Sequence, residues 1–586
     1  MYFMKNTLRL FAAAILAGVA FPSFAATYTS VTDGDWDNVA FGAVNPDTGD
    51  YSTNGEGADS VVIDGHVVTV TGDTYGGADA DPANDRFTIG NNNSVTIRGG
   101  GSLAMSDSAV NQNAWVGRRS DGTISIESGT LVAGGASHHL MLGSGTGGTT
   151  GSLVVGDGIG ASGDATVDMG GNLIYVRYFG GTASSPGLLE INSDGQALNT
   201  RFTIGHAGVG TAVLNDGYLQ GATANAHYVG QNNGASNGRG NLTMNGDSVF
   251  DFRATNGGGF RVGNGGSSQG TFTMNDNSIM NIAANSDNFH IARDANSVGV
   301  VNLNDNSQII GLNNDANSDT GIVVGRGGNS ATLNINNNAL INMLAPLTVS
   351  GAGSVNTDVN TINQNGGTVI TDKDAFIGRF ANGTYNMNAG SLSVRDIRLG
   401  FEGGTGTFNQ NGGTVTATGR DLLISEHASL TTGNGVYNLL GGTLRVDRIN
   451  LDAGADNLVD GVFNWGGGTL TMRNPNANND PGAIDYTTTD PINGIGQTVR
   501  SGTTISVTGD MSTTTAGIST LDLGGVYINN GSRVDIMQIS GTLDLTGADH
   551  LISVDSPNLL RPLGGSAIDY GSIPLVTATG GITGGT

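Results

Sequence analysis

Apolar and polar residues alternate in short runs along this chain, and the runs recur. Between Thr361 and Met472 one phrase is written five times: TINQNGGTVITDKDAFIG, TYNMNAGSLSVRDIRLG, TFNQNGGTVTATGRDLLIS, VYNLLGGTLRVDRINLD and VFNWGGGTLTM. In two copies the pleat is explicit, because Leu392, Val394, Ile397 and Leu399 correspond at a constant offset of 52 to Leu444, Val446, Ile449 and Leu451. Polar residues such as Ser393, Arg398, Arg445 and Asn450 stand between them. A period of two predicts short strands with one buried face, so Leu392, Val394, Leu444 and Val446 are expected to point inward. The alternation breaks at Arg395-Asp396 and Asp447-Arg448, which predicts a corner and a second strand on another face.

The repeat has fixed points. Asn363, Asn386, Asn409, Asn438 and Asn464 follow one another at steps of 23, 23, 29 and 26 residues. An upstream version has Asn215, Asn245, Asn275, Asn304 and Asn336 at steps of 30, 30, 29 and 32. Apolar-Gly endings punctuate the chain at Ile89-Gly90, Val116-Gly117, Leu142-Gly143, Ile204-Gly205, Val229-Gly230, Val262-Gly263 and Val324-Gly325. The stretch from Gly143 to Gly205 is less regular. Units of this length cannot bury their apolar face alone, so copies must stack as coils. The expected fold is all-β, a parallel, right-handed β-helix over residues 87–472. On the order of 14 coils at ~4.8 Å spacing make a rod roughly 65 Å long. A β-propeller is the competing fold, but its blades need ~40–50 residues and longer strands.

Composition narrows the class. Glycine supplies 98 of 586 residues, whereas 11 prolines and no strict triplet exclude collagen. The formal charge of −26 excludes nucleic acid as an expected partner. With no cysteine, stability must come from stacking and hydrogen bonds.

Residues 1–25 read as an export signal: Lys5 and Arg9, an apolar run from Leu10 to Phe21, and a small-x-small site at Ser23-Phe24-Ala25. That run is too short to span a bilayer, so no membrane span is expected in the mature chain. After cleavage Lys373 is the sole lysine, which leaves no polybasic face for anionic lipid. Residues 26–86, with Trp36 in GDWDN, are expected to cap the first coil, and residues 473–586 to form a less regular C-terminal β region.

FNQNGGTV, VYNLLGGTLRV, SLVVGDGIG from Ser152, the GDW opening and the closing SGTLDLTGADHLISV resemble exported bacterial β-helix proteins with autotransporter-associated strand repeats. Many of these carry a PEP-CTERM sorting tail. The resemblance implies export from a Gram-negative bacterium to the outside or the cell surface. It departs at the end: the phrase IPLVTATGGITG is followed only by Gly584-Gly585-Thr586, so the chain reads as truncated in mid-motif.

Candidate chemistry is sparse. The clusters Asn275-Asp276-Asn277 and Asn304-Asp305-Asn306 offer oxygen donors suited to calcium, the one candidate cofactor. Equally, Asn fits left-handed turns and stacks in ladders on adjacent coils, and the calcium-roll motif is missing. The eight histidines, including His138-His139, show no metal-ligand spacing. Gly205, Gly208 and Gly210 imitate a phosphate loop but open no predicted helix. Asp157, Asp164 and Asp168, with Arg177 nearby, could serve a calcium-dependent polysaccharide lyase or hydrolase. No acid, base and arginine constellation in such an order appears, so no catalytic, cofactor or metal residue is assigned. The expectation is a non-catalytic scaffold or adhesin-like protein, with extracellular polysaccharide or cell-surface components as candidate partners.

Overall fold

The computed structural model describes most residues between 85 and 472, together with the backbone of isolated strands on either side. The expected signal at 1–25 and Trp36 lie outside the described residues. No helix occurs among the described residues, and every strand pairing is parallel. The chain is a β-solenoid.

One coil shows the construction. Gly383–Met387 lies on a first face, Ser391–Val394 on a second and Ile397–Leu399 on a third. The next coil repeats these as Thr405–Gln410, Thr414–Ala417 and Asp421–Ile424, each strand pairing with its predecessor. The expected corner at Arg395-Asp396 is where the chain passes from second face to third. Leu392, Val394, Leu444 and Val446 are all buried, as the alternation predicts.

The first face is a 19-stranded sheet. The other two faces join into one 31-stranded sheet, because Gly195–Ile204 runs unbroken from second face to third and pairs on both. The stretch from 143 to 205 therefore interrupts nothing. Backbone pairing also extends beyond the repeat: Ser60–Asp64 pairs with Asn93–Arg98, and Ile518–Gly524 with Asp549–Asp555.

Successive copies stand in register despite unequal spacing. Asn386 lies over Asn363, Asn409 over Asn386, Asn438 over Asn409 and Asn464 over Asn438. Extra residues are accommodated between strands. The side-chain amides form a ladder, each donating to the Oδ1 of the coil before, at 3.0, 2.8, 2.7 and 2.8 Å. A second ladder climbs the turn between first and second faces. It runs Asn215, Asn245, Asn275, Asn304, Asn336, with steps of 3.0, 2.9, 2.9 and 2.8 Å, and continues through Asn365. The two sets of repeat asparagines thus belong to different ladders, two residues apart: Asn334 and Asn363 extend the first upstream, while Asn336 and Asn365 carry the second. The left-handed turn positions fall on Asp276 and Asp305, one residue after the ladder asparagines.

The turn after the third face explains the apolar-Gly endings. Gly117, Gly143, Gly205, Gly230, Gly263, Gly325, Gly378 and Gly400 all have φ between 67° and 78° there. A Cβ at Gly205 would run into the carbonyl of Arg239 in the next coil. Four coils place another residue at this position: Arg177, Ala292, Ser350 and Ser425. Ser425 Oγ accepts the N–H of Gly435 at 2.8 Å, so a hydroxyl offsets part of the cost of the left-handed conformation. The pattern faded between 143 and 205 because Arg177 stands where most coils have glycine.

The interior is continuous from Ile89 to Phe463. Near one end the rings of Tyr385, Phe408, Tyr437 and Phe463 stack coil upon coil, with centroids 4.7, 4.8 and 5.7 Å apart.

Candidate functional site: the outer surface of the third face

The outward positions of the first face carry mainly Thr, Ser and Asn, and those of the second mix such residues with apolar ones, among them Val249, Ile279, Ile310, Leu340 and Ile370. The third face differs. Its outward column, fixed by strand register, reads Trp115, Met141, Tyr175, Thr203, Tyr228, Arg261, His290, of which Tyr175, Tyr228 and Arg261 reach solvent and the other four are covered. A second column follows the left-handed corner and leans against the first; it includes Tyr178, His206, Arg293 and Arg326. Backbone bonds set its rise of one residue per coil, from His206 N to Arg177 O at 3.0 Å and from Arg326 N to Ala292 O at 3.1 Å.

At the upstream end the two columns make an aromatic surface. Tyr178 and His206 stack at 5.2 Å with 5° between their planes. Tyr175 meets both edge-on, at 4.6 and 5.3 Å, and Trp115 meets Tyr178 at 5.9 Å. Edge and stacked contacts of this kind hold rings rigidly. His206 Nδ1 lies 3.0 Å from the Tyr178 carbonyl. Burial holds the His206 imidazole below its usual value, partly opposed by that carbonyl. The Tyr175 phenol is pushed up to about 12, by burial first and then by Tyr178. The surface is therefore neutral and aromatic near pH 7.

Next along the rod is a basic segment. Arg261 donates to the Tyr228 hydroxyl at 3.1 Å and its guanidinium sits 5.3 Å from that ring. Burial lowers the Arg261 and Arg201 guanidinium values, and for Arg261 the cations of Arg293 and Arg326 act in the same direction. Farther on, Arg379 and Arg398 both lie over the rings of Phe376 and Phe401. These cations are neutralised within the protein: Arg379 by Glu402 at 2.6 Å, Arg398 by Asp374 at 2.8 Å. Arg395 reaches the same Asp374 at 2.6 Å.

The residues singled out for acid–base chemistry are dispersed. Asp157 follows a first-face strand, Asp168 ends a second-face strand, and Arg177 follows a third-face strand. Asp168 accepts the Gly170 N–H at 3.0 Å, closing a local turn. Exposed Asp164 lies just before Ala165–Asp168, and its carbonyl accepts the Gly129 N–H at 2.7 Å. Arg177 is wholly buried, and its side chain fills the space left by Gly208. Gly205 makes the left-handed corner and Gly210 admits the Val176 carbonyl, so this glycine trio serves coil stacking. A strand, Val209–Asn215, follows it. The strongest carboxylate site nearby is one the sequence did not single out. Asp194 accepts N–H groups from Asp157 and Gly158 at 3.1 and 2.8 Å; burial opposes its ionisation, but these bonds prevail and hold the carboxyl below its usual range.

The asparagines and aspartates weighed for calcium bond one another along the ladders. Asn277 donates to Asp247 at 3.0 Å and Asn306 to Asn277 at 3.1 Å. Among the described residues no group of three or more His, Cys, Asp or Glu side chains is placed to hold a metal, and no helix is long and apolar enough to cross a membrane.

The third-face columns were invisible as a motif because each coil contributes one or two residues, separated by a whole repeat. The sequence signal that could find them is the residue two before and the residue just after each corner glycine. Comparison with family models, curated proteins and solved structures returns no match.

Proposed function

We propose that this protein is a non-catalytic, exported β-solenoid scaffold that binds extracellular polysaccharide along its third face. The observation that carries the reading is the paired column of rings and guanidinium groups on the third face, partly exposed at Tyr175, Tyr178, His206, Tyr228, Arg261, Arg293 and Arg326. Flat rings stack on the apolar faces of sugars, and guanidinium groups donate paired hydrogen bonds to hydroxyls or carboxylates. One contact per coil, repeated along a rigid rod, suits a linear polymer, since many weak parallel contacts add through effective concentration.

The apolar run from Leu10 to Phe21 supports export, and the repeat phrases support kinship with autotransporter-associated β-helix proteins at a bacterial surface. The dispersal of Asp157, Asp168 and Arg177 to different corners speaks against the lyase alternative. The test is a panel of neutral and acidic polysaccharides incubated with the purified chain, with and without calcium, scored for retention and for new chain ends. Retention without cleavage is expected. Cleavage abolished by changing Asp164 or Arg177 would overturn the non-catalytic reading.

A further inference from the structure

Two arginine groups lie on the third face, and among the described residues the protein neutralises one far more closely than the other. Downstream, Arg379, Arg395 and Arg398 meet Glu402 and Asp374 at 2.6 to 2.8 Å. Upstream, Arg261, Arg293 and Arg326 come from three consecutive coils; burial disfavours the charge of Arg261 most, the Arg293 and Arg326 cations add to that, and Tyr228 and Asp294 oppose it. Among the described residues the ion pair there joins Arg293 to its own neighbour Asp294 at 3.8 Å, with the carboxylate half exposed. The Nε atoms of Arg201, Arg261, Arg293 and Arg326 are shielded from water and donate to nothing among the described residues.

Stacking like charges is unfavourable where they are offset by one long ion pair and a neutral Tyr228 hydroxyl, and leaving buried donors unpaired adds to the cost. Arginine cannot relieve the strain by losing its proton near neutral pH. In a chain of net charge −26, concentrating three arginines beside a single long ion pair is the reverse of what composition would scatter there. An anion laid across the three coils would pair with the guanidinium groups and offset their mutual repulsion.

We infer that Arg261, Arg293 and Arg326 form a binding site for the carboxylates of an acidic polysaccharide lying along the rod axis. This rests on the reading of the third face as a polysaccharide surface, and it specifies the class: uronate-bearing chains. A polymer is favoured over a single small anion because the guanidinium groups come from three consecutive coils, Arg261 in the strand column and Arg293 and Arg326 in the corner column beside it. The global negative charge does not forbid approach, since repulsion beyond about 8 Å is screened at physiological salt.

The experiment compares binding of the full chain to polygalacturonate, to the same polymer with its carboxylates methyl-esterified, and to duplex DNA. It is repeated with R261Q/R293Q/R326Q and with R379Q/R398Q, whose arginines are already neutralised by the protein. Melting curves confirm that each variant is folded. Polygalacturonate is expected to bind, with esterification and the triple change each weakening it at least about tenfold, while R379Q/R398Q has a smaller effect. Should the triple variant be unfolded, the single R326Q variant is expected to lose affinity in the same direction. Absence of binding to polygalacturonate, or binding unaffected by the triple change, would overturn the inference. Ester binding equal to the acid form, lost on Y178A but kept in the triple variant, would also overturn it while leaving the polysaccharide surface standing. DNA bound as tightly as polygalacturonate would overturn the assignment to a glycan.

Discussion

The Tyr437 hydroxyl donates to Gln410 Oε1 at 2.6 Å, one coil back, inside a sealed core. Burial pushes the phenol far above its usual value, so it stays a donor. The Gln410 amide in turn donates to the Thr443 carbonyl at 3.0 Å. Tyr385 and Gln364 repeat the arrangement, again at 2.6 Å. The stack is matched ring by ring: where it holds Phe408 or Phe463, the preceding coil offers Met387 or Leu439 instead of glutamine.

That matching predicts a coupled pair. Tyr437→Phe strands the Gln410 oxygen in the core and should cost about 1–3 kcal/mol. Adding Gln410→Met, which copies the Met387 and Phe408 arrangement, should recover much of the loss. Urea melts of the two single variants and the double variant close the cycle. Additive costs would show that the bond is not the source.

Inward and outward positions of one strand should respond differently. Val446 is wholly buried between coils, whereas Arg445 beside it is exposed. Val446→Asp buries an unpaired charge and should cost several kcal/mol; Arg445→Asp should shift the melting temperature little. Calorimetry on both decides it.

Corner glycines and their substitutes are not equivalent. At Gly205 an alanine meets the Arg239 carbonyl and a φ of 70°, so Gly205→Ala should destabilise by more than ~1 kcal/mol. Ala292 already occupies the same corner at φ 53°. Ala292→Gly removes a left-handed cost of about 1–2 kcal/mol and forfeits a buried methyl worth about 0.8 kcal/mol. Its melting point should therefore stay close to that of the parent.

A buried histidine should weaken the rod in acid. His227 lies among Phe202, Phe250 and Phe252, and burial lowers its imidazole to about 3. The unfolded chain takes up that proton near pH 6.5, so this contribution to stability is present above 6.5 and lost progressively as pH falls toward 3. His227→Leu should flatten the pH dependence of the denaturant midpoint in that window. An unchanged slope would place the titration elsewhere.

These predictions also mark what the sequence discloses. Local alternation fixes Leu392, Val394, Leu444 and Val446 as inward, because the period of two is complete within four residues. Ladders and corners need the coil-to-coil register. Without it, Asn304 and Asn363 look alike although they climb different ladders, and Gln410 reads as part of a turn although it anchors Tyr437. Arg177 hides a corner because a left-handed arginine leaves no glycine to see. The third-face columns are least legible: Tyr178, His206, Arg293 and Arg326 adjoin only once the chain has wound around the rod.

Side-chain footprinting with hydroxyl radicals, with and without saturating polygalacturonate, tests the functional face most directly. The account predicts protection at Tyr175, Tyr178 and Tyr228 on the third face, with Tyr218 on the second face unchanged. Protection of Tyr218 with the third-face rings left reactive would contradict it.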